Sequence, residues 1–213
     1  MSISILSVFG QNITLVYASL DLRSVAVSSL KQVIEGSAQP TVMDMPDTIV
    51  AVFPPEPVVV QLGDQRIRIT LAKPTQGIGS VPLWKFALRC HHLARKSTLL
   101  AYGFNYDGLA ALDAGDSNAL LRDLFVADAP RLERTLGGPL TSFTPRLKFN
   151  RAEARCDLVI EPVEALRLKV HLNVHYEYPG IVFPSQTRMK SAFLEQFGYL
   201  SALLPALLEG GRL

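Results

Sequence analysis

The sequence predicts an α+β fold: a mostly antiparallel β-sheet with helices packed on one face. Three observations carry that expectation. Leu166, Leu168, Val170, Leu172, Val174, Tyr176 and Tyr178 alternate with Arg167, Lys169, His171, Asn173, His175 and Glu177, the pattern of a strand with one dry and one wet face. Two shorter runs, Val58 to Leu62 and Arg66 to Leu71, flank Gly63-Asp64, a Gly-first tight hairpin turn. The stretches after Pro82 and Ser185 repeat their apolar residues at helical spacing instead.

From the N-terminus, Ser2, Ile3, Ser4 and Ile5 alternate as a strand, and Ile13 to Ala18 forms a second short one. The first nine residues are apolar but lack the basic start and small-residue cleavage site of a signal peptide. Leu22, Val25, Ala26, Ser29, Leu30 and Val33 then predict a helix, capped by Ser19 or Asp21 and stopped at Gly36. Five prolines (Pro40, Pro46, Pro54, Pro55, Pro57) surround one expected strand, Thr48 to Phe53. After the hairpin and a punctuated loop from Lys73 to Val81, a helix is expected from Pro82 to Lys96. A strand follows from Leu99 to Tyr106, ending at Asp107-Gly108.

Asp116 or Ser117 caps the next helix, which Asp128 and Pro130 restart and Gly137-Gly138 end. Ala154, Cys156, Leu158 and Ile160 predict a partner for the long strand across a turn at Glu161 to Ala165. Leu147 and Phe149 have the opposite parity, so a turn or bulge is needed near Asn150-Arg151. The last helix is capped at Ser185, and Pro205 is expected to kink or break it. No internal repeat is visible in the sequence.

Composition bounds the rest. Of the 213 residues, 48% are hydrophobic and 19% charged, enough apolar material to exclude global disorder and to build a single domain over residues 1–213. Mean hydropathy is high at +0.23, yet no uninterrupted apolar run reaches the roughly 18 residues of a membrane span. The excess is expected in the core and in an oligomer interface. Cys90 and Cys156 have no C-x-x-C neighbour, which fits reduced core thiols and a cytoplasmic location. A net charge of +2 does not argue for nucleic acid.

Three constellations could carry chemistry. On the wet face of the long strand, His175 and Glu177 stand about 6.7 Å apart, as a metal-ligand pair or an imidazole–carboxylate acid–base pair. A solvated sheet face is the alternative, with Arg167 and Lys169 on the same row. His171, about 13 Å from His175 by the same spacing, is too far to join them. The second constellation is a basic stripe, Lys85, Arg89, His92 and Lys96, at i, i+4, i+7 and i+11, which would meet phosphates or an acidic partner or be a solvated helix face. In the third, Tyr102, Phe104 and Tyr106 share one strand face, and Tyr102 and Tyr106 with Asn173 would line a ligand groove or fill the core. The common nucleophile, nucleotide and zinc motifs are missing, and neither a metal nor a cofactor is expected.

Two function classes lead on the sequence, ahead of a third, an RNA or DNA accessory protein using Lys85, Arg89 and Lys96. The first is a non-catalytic binding or scaffold protein that self-associates through the C-terminal helix, because Phe193, Phe197, Leu200 and Leu204, with their apolar neighbours, wrap nearly all round it. The second is a metal- or acid/base-dependent enzyme around His175 and Glu177.

Overall fold

The computed structural model describes residues 3–22, 27–30, 39–55, 57–72, 77–94, 96–177 and 181–209. The elements run β1 (Ile3–Tyr17), α1 (Val27–Leu30), β2 (Thr41–Met45), β3 (Thr48–Phe53), β4 (Val58–Gly63), β5 (Arg66–Ala72), α2 (Leu83–Leu93) and β6 (Leu99–Leu112). Then come α3 (Ser117–Phe125), α4 (Ala129–Leu136), β7 (Arg146–Arg151), β8 (Ala154–Glu164), β9 (Arg167–Tyr176) and α5 (Gln186–Glu209). The strands form one nine-stranded sheet in the order β2-β3-β4-β5-β1-β6-β9-β8-β7. Every neighbouring pair is antiparallel.

That order contains a repeat the amino acids do not show. Each half begins with a long strand (β1 or β6), continues through helix, and then folds a meander whose last strand (β5 or β9) returns beside the first. Each half ends in a helix (α2 or α5). The halves join where β1 pairs with β6 at the centre of the sheet.

Alternation decides which side is dry. Ile13, Leu15 and Tyr17 of β1, Phe104 and Tyr106 of β6, and Leu168, Val170, Leu172 and Val174 of β9 are buried, while the residues between them are half-buried. Leu83, Trp84, Phe86 and Cys90 of α2 and Met189, Phe193, Leu200 and Leu204 of α5 are buried in the same core. Phe193 links the halves: its ring centroid lies 6.1 Å from Trp84, 5.5 Å from Phe104 and 5.2 Å from Tyr106. The Tyr106 hydroxyl donates to the Phe193 carbonyl at 2.6 Å. By length and composition α5 could cross a membrane. Six of its residues, including Gln196, are buried against the sheet.

Helix ends follow the local chemistry. Asp116 and Asp128 accept from the backbone N–H groups of Ala119 and Arg131, each at 2.9 Å, and Gly137 closes α4 at φ +77°.

Several expectations are corrected. The N-terminal run and Ile13–Ala18 form one 15-residue strand, β1, because its bulges let it track β6 without breaking. One lies at Phe9, between the Val8↔Gly108 and Gly10↔Asp107 pairs. For the same reason β6 does not stop at Asp107-Gly108: partners on both sides carry it to Leu112, and pairing overrides the turn signal. The proline-rich segment holds an additional strand, β2, paired to β3.

The hairpin turn is Asp64-Gln65, both left-handed at φ +48° and +59°, so Gly63 stays in the ladder. There a Cβ would lie 2.5 Å from Thr48 Oγ1 and 2.8 Å from the Asp47 carbonyl; Gly63 serves close approach, not the turn. The β8–β9 turn is Ala165-Leu166, with β8 continuing to Glu164 through a bulge at Val163. The parity change after Phe149 is a hairpin turn at Ala152-Glu153, which joins β7 to β8. Helix α2 ends at Leu93, short of Lys96. Pro205 does not break α5, which runs on to Glu209 with Leu204 and Leu208 buried on either side of it. Of the first expected helix, Val25, Ala26, Val33 and Gly36 lie outside the described residues, as do the loop residues 73–76 and Tyr178.

Candidate functional site

The packed helices lie on one side, so the other face of the sheet carries the odd-numbered residues of β6, of β9 and of β8 before its bulge, and the even-numbered ones of β5, of β7 and of β1 from Gly10 onward. Register aligns them into cross-strand rows. One row runs Arg68, Thr14, Gly103, His175, Arg155. The next runs Thr70, Asn12, Asn105, Asn173, Asp157, Lys148. In the second row the asparagines bond to one another. Asn173 Nδ2 donates to Asn105 Oδ1 at 2.5 Å, Asn105 Nδ2 donates to Asn12 Oδ1 at 2.7 Å, and the Thr14 hydroxyl donates to that same Asn12 oxygen at 3.1 Å. Three strands are thereby tied by side chains that also fix which amide groups face outward.

Two depressions share Asn173 and His175. One, of about 390 Å³, is lined by Asn12, Thr14, Val16, Arg66 and Arg68 from the first half and by Gly103, Asn105, His171, Asn173 and His175 from the second. The other, of about 360 Å³, lies over β7 to β9 and includes Lys148, Arg155 and Asp157. Gly103 keeps the floor of the first one low. A Cβ there would lie 2.8 Å from the Val174 carbonyl oxygen and 3.7 Å from His175 Nδ1.

The predicted pair meets: His175 Nε2 lies 3.2 Å from Glu177 Oε2. That same oxygen accepts from Arg155 Nη2, so the carboxylate is already engaged by a neighbouring strand. His171 Nδ1 is held 2.7 Å from Asp107 Oδ1. Arg146 binds Asp157 at 2.8 and 2.5 Å, and its guanidinium lowers the Asp157 carboxyl below the usual carboxylate range. Among the described residues, no group of three His, Cys, Asp or Glu side chains could hold a metal.

The structure separates other candidates. Tyr102 and Tyr106 are buried on the helix side, with the sheet between them and Asn173, so the three do not line one groove. Desolvation raises the Tyr106 hydroxyl well above its ordinary range, as befits a core donor. Lys85, Arg89 and His92 form an exposed row on α2, and Lys96 is exposed beyond its end. Both thiols are free and buried, and burial pushes Cys90 up to about 12, far from a reactive thiolate. Of the proposed interface residues, Phe193, Leu200 and Leu204 are buried in this chain's own core; only Phe197 is half-buried.

Sequence reading missed Asn12, Thr14, Arg66, Arg68, Gly103 and Asn105. Their outward parity was legible, but their adjacency depends on β5, β1, β6 and β9 lying side by side. No protein-family model matches the chain, and no curated protein matches it.

Proposed function

We propose that the chain is a non-catalytic binding protein whose open sheet face receives its ligand. The observation that carries this reading is the depression where the two halves join, ringed by side chains from four strands. Its volume falls in the range of small-molecule sites, and its polar groups are pre-positioned by the asparagine ladder. Titrating the ¹⁵N-labelled chain with a library of small polar molecules tests it. Hits should shift the Gly103, Asn105 and Asn173 resonances; a library that leaves those resonances still while moving others would sink the reading.

A second reading is acid–base catalysis by His175 with Glu177, favoured by their 3.2 Å contact at the edge of the depression. Turnover of a bound molecule, lost in His175→Ala, would put it first. Self-association through α5 remains part of the proposal, carried now by half-buried Tyr199, Leu203 and Leu207. Light scattering that finds only monomer at high concentration would remove it. Two buried thiols with no disulfide fit the proposed cytoplasmic location.

A further inference from the structure

We infer that the depression at the junction of the halves binds a small, hydroxyl-bearing organic anion, held through a phosphoryl or carboxylate group by Arg66 and Arg68. This rests on the binding reading above and adds the ligand's chemistry.

The first support is an imbalance of charge on the open face. On β6 to β9 the carboxylates are matched: Asp157 by Arg146, Glu177 by Arg155, Glu164 by Arg167, Glu161 by Lys169, and Asp107 by His171. Among the described residues, no carboxylate pairs with Arg66 or Arg68. Both stand on β5 two residues apart, so they point the same way, and both line the depression. Two adjacent guanidiniums without counter-charge repel each other, and an oxyanion that accepts from both relieves that repulsion. The planar donor fork matches phosphoryl and carboxylate oxygens.

The second support is the remainder of the lining. Opposite the arginines stand His171 and His175, each already positioned by a carboxylate partner. Between the two rims lie the Thr14 hydroxyl and the amides of Asn12, Asn105 and Asn173, neutral groups suited to hydroxyls. Strands about 4.8 Å apart put β5 and β9 about 14 Å from each other. Arginines reaching in from one rim therefore leave room for a compact anion. The bare floor at Gly103 supplies the depth.

The test is an NMR titration of the full chain with inorganic pyrophosphate, with citrate and with the neutral disaccharide trehalose, read at Gly103 and Asn105. Pyrophosphate, citrate or both are expected to shift these resonances saturably, and which of them does so distinguishes a phosphoryl from a carboxylate source. Affinity should fall at least about tenfold in Arg66→Gln/Arg68→Gln. It should be unchanged in Lys85→Gln/Arg89→Gln, which removes the same charge from α2. The inference is overturned if neither anion shifts the site, if both do so equally in the two double variants, or if a single-stranded oligonucleotide displaces them with far higher affinity. If trehalose alone shifts Gly103 and Asn105, the anion assignment fails while the binding reading stands. The spectrum of each variant reports independently that it is folded.

Discussion

The two halves of the sheet share a topology and differ in how they handle charge. In the half from β6 to α5, outward-facing acids and bases neutralise one another, and all the ion pairs seen among the described residues lie between Asp107 and Glu195. In the half from β1 to α2 the outward side of β3 and β4 is mostly β-branched (Thr48, Val50, Val52, Val59) and uncharged, with Arg66 and Arg68 on β5 left uncompensated. The inward positions of both halves are nonetheless filled by the same kinds of residue. The shared topology therefore rests on what faces the helices, and the two halves differ in what faces water. The ligand site we infer sits where these two electrostatic styles meet.

The largest expected effect comes from cutting the link between the halves. Phe193→Ala removes a ring that touches both α2 and β6 and should cost about 3–5 kcal/mol, measured by chemical denaturation. A single shifted transition means the halves share one cooperative core. Two separate transitions would break the comparison, making them independent folding units.

A smaller effect of opposite sign is expected inside the first half. Gln11 is fully buried on the central strand, and neither side-chain polar atom has a hydrogen-bond partner. Gln11→Met keeps the volume and removes the stranded amide, which should stabilise by about 1–3 kcal/mol. A loss of stability instead would mean that the amide serves a bound partner in the core.

The smallest effect is a pH dependence. His91 stacks on Phe183 at 4.0 Å, and its Nδ1 lies 3.0 Å from the Tyr17 hydroxyl. Burial, then the neighbouring His92, lower its pKa from 6.5. The folded state therefore favours neutral imidazole, and below that value the unfolded state binds more protons, so stability falls as pH drops. Denaturation midpoints at pH 7.5 and pH 5.5 should differ more in the native chain than in His91→Gln. Equal slopes would show that His91 ionises without penalty.

How much of this was legible in the sequence depended on the range of the cause. The wet and dry faces of β9, the caps at Asp116 and Asp128 and the His175–Glu177 contact follow from residues within a turn or two of one another, and all could be inferred. The limits of β1 and β6 could not, because they are set by partners fifty or more positions away that carry a strand through a local stop signal, and the Asp64-Gln65 turn could not, because Gly63 is held in the ladder by Thr48 on the neighbouring strand. Pro205 is the helical version: Leu204 and Leu208 hold α5 against the core where local preference would end it. The candidate site was half visible. Asn173 and His175 stood out on a regular strand, whereas Arg66, Arg68 and Gly103 acquire meaning only from strand order.

One contact has a consequence for the chain's connectivity. The backbone N–H of Ile3 donates to Glu209 Oε1 at 2.6 Å, so the start of the first long strand meets the end of the last helix. The passage from α2 to β6, which joins the halves in the native order, spans only residues 94–98. A bridge from α5 back to β1 would have a similarly short gap to cross. A circular permutant opened near Ser97 and closed by a short engineered linker from Glu209 to Ile3 would carry the halves in reverse sequence yet build the same sheet. If its folded NMR spectrum matches the parent's away from the new joints, the order of the halves along the chain is incidental to the architecture.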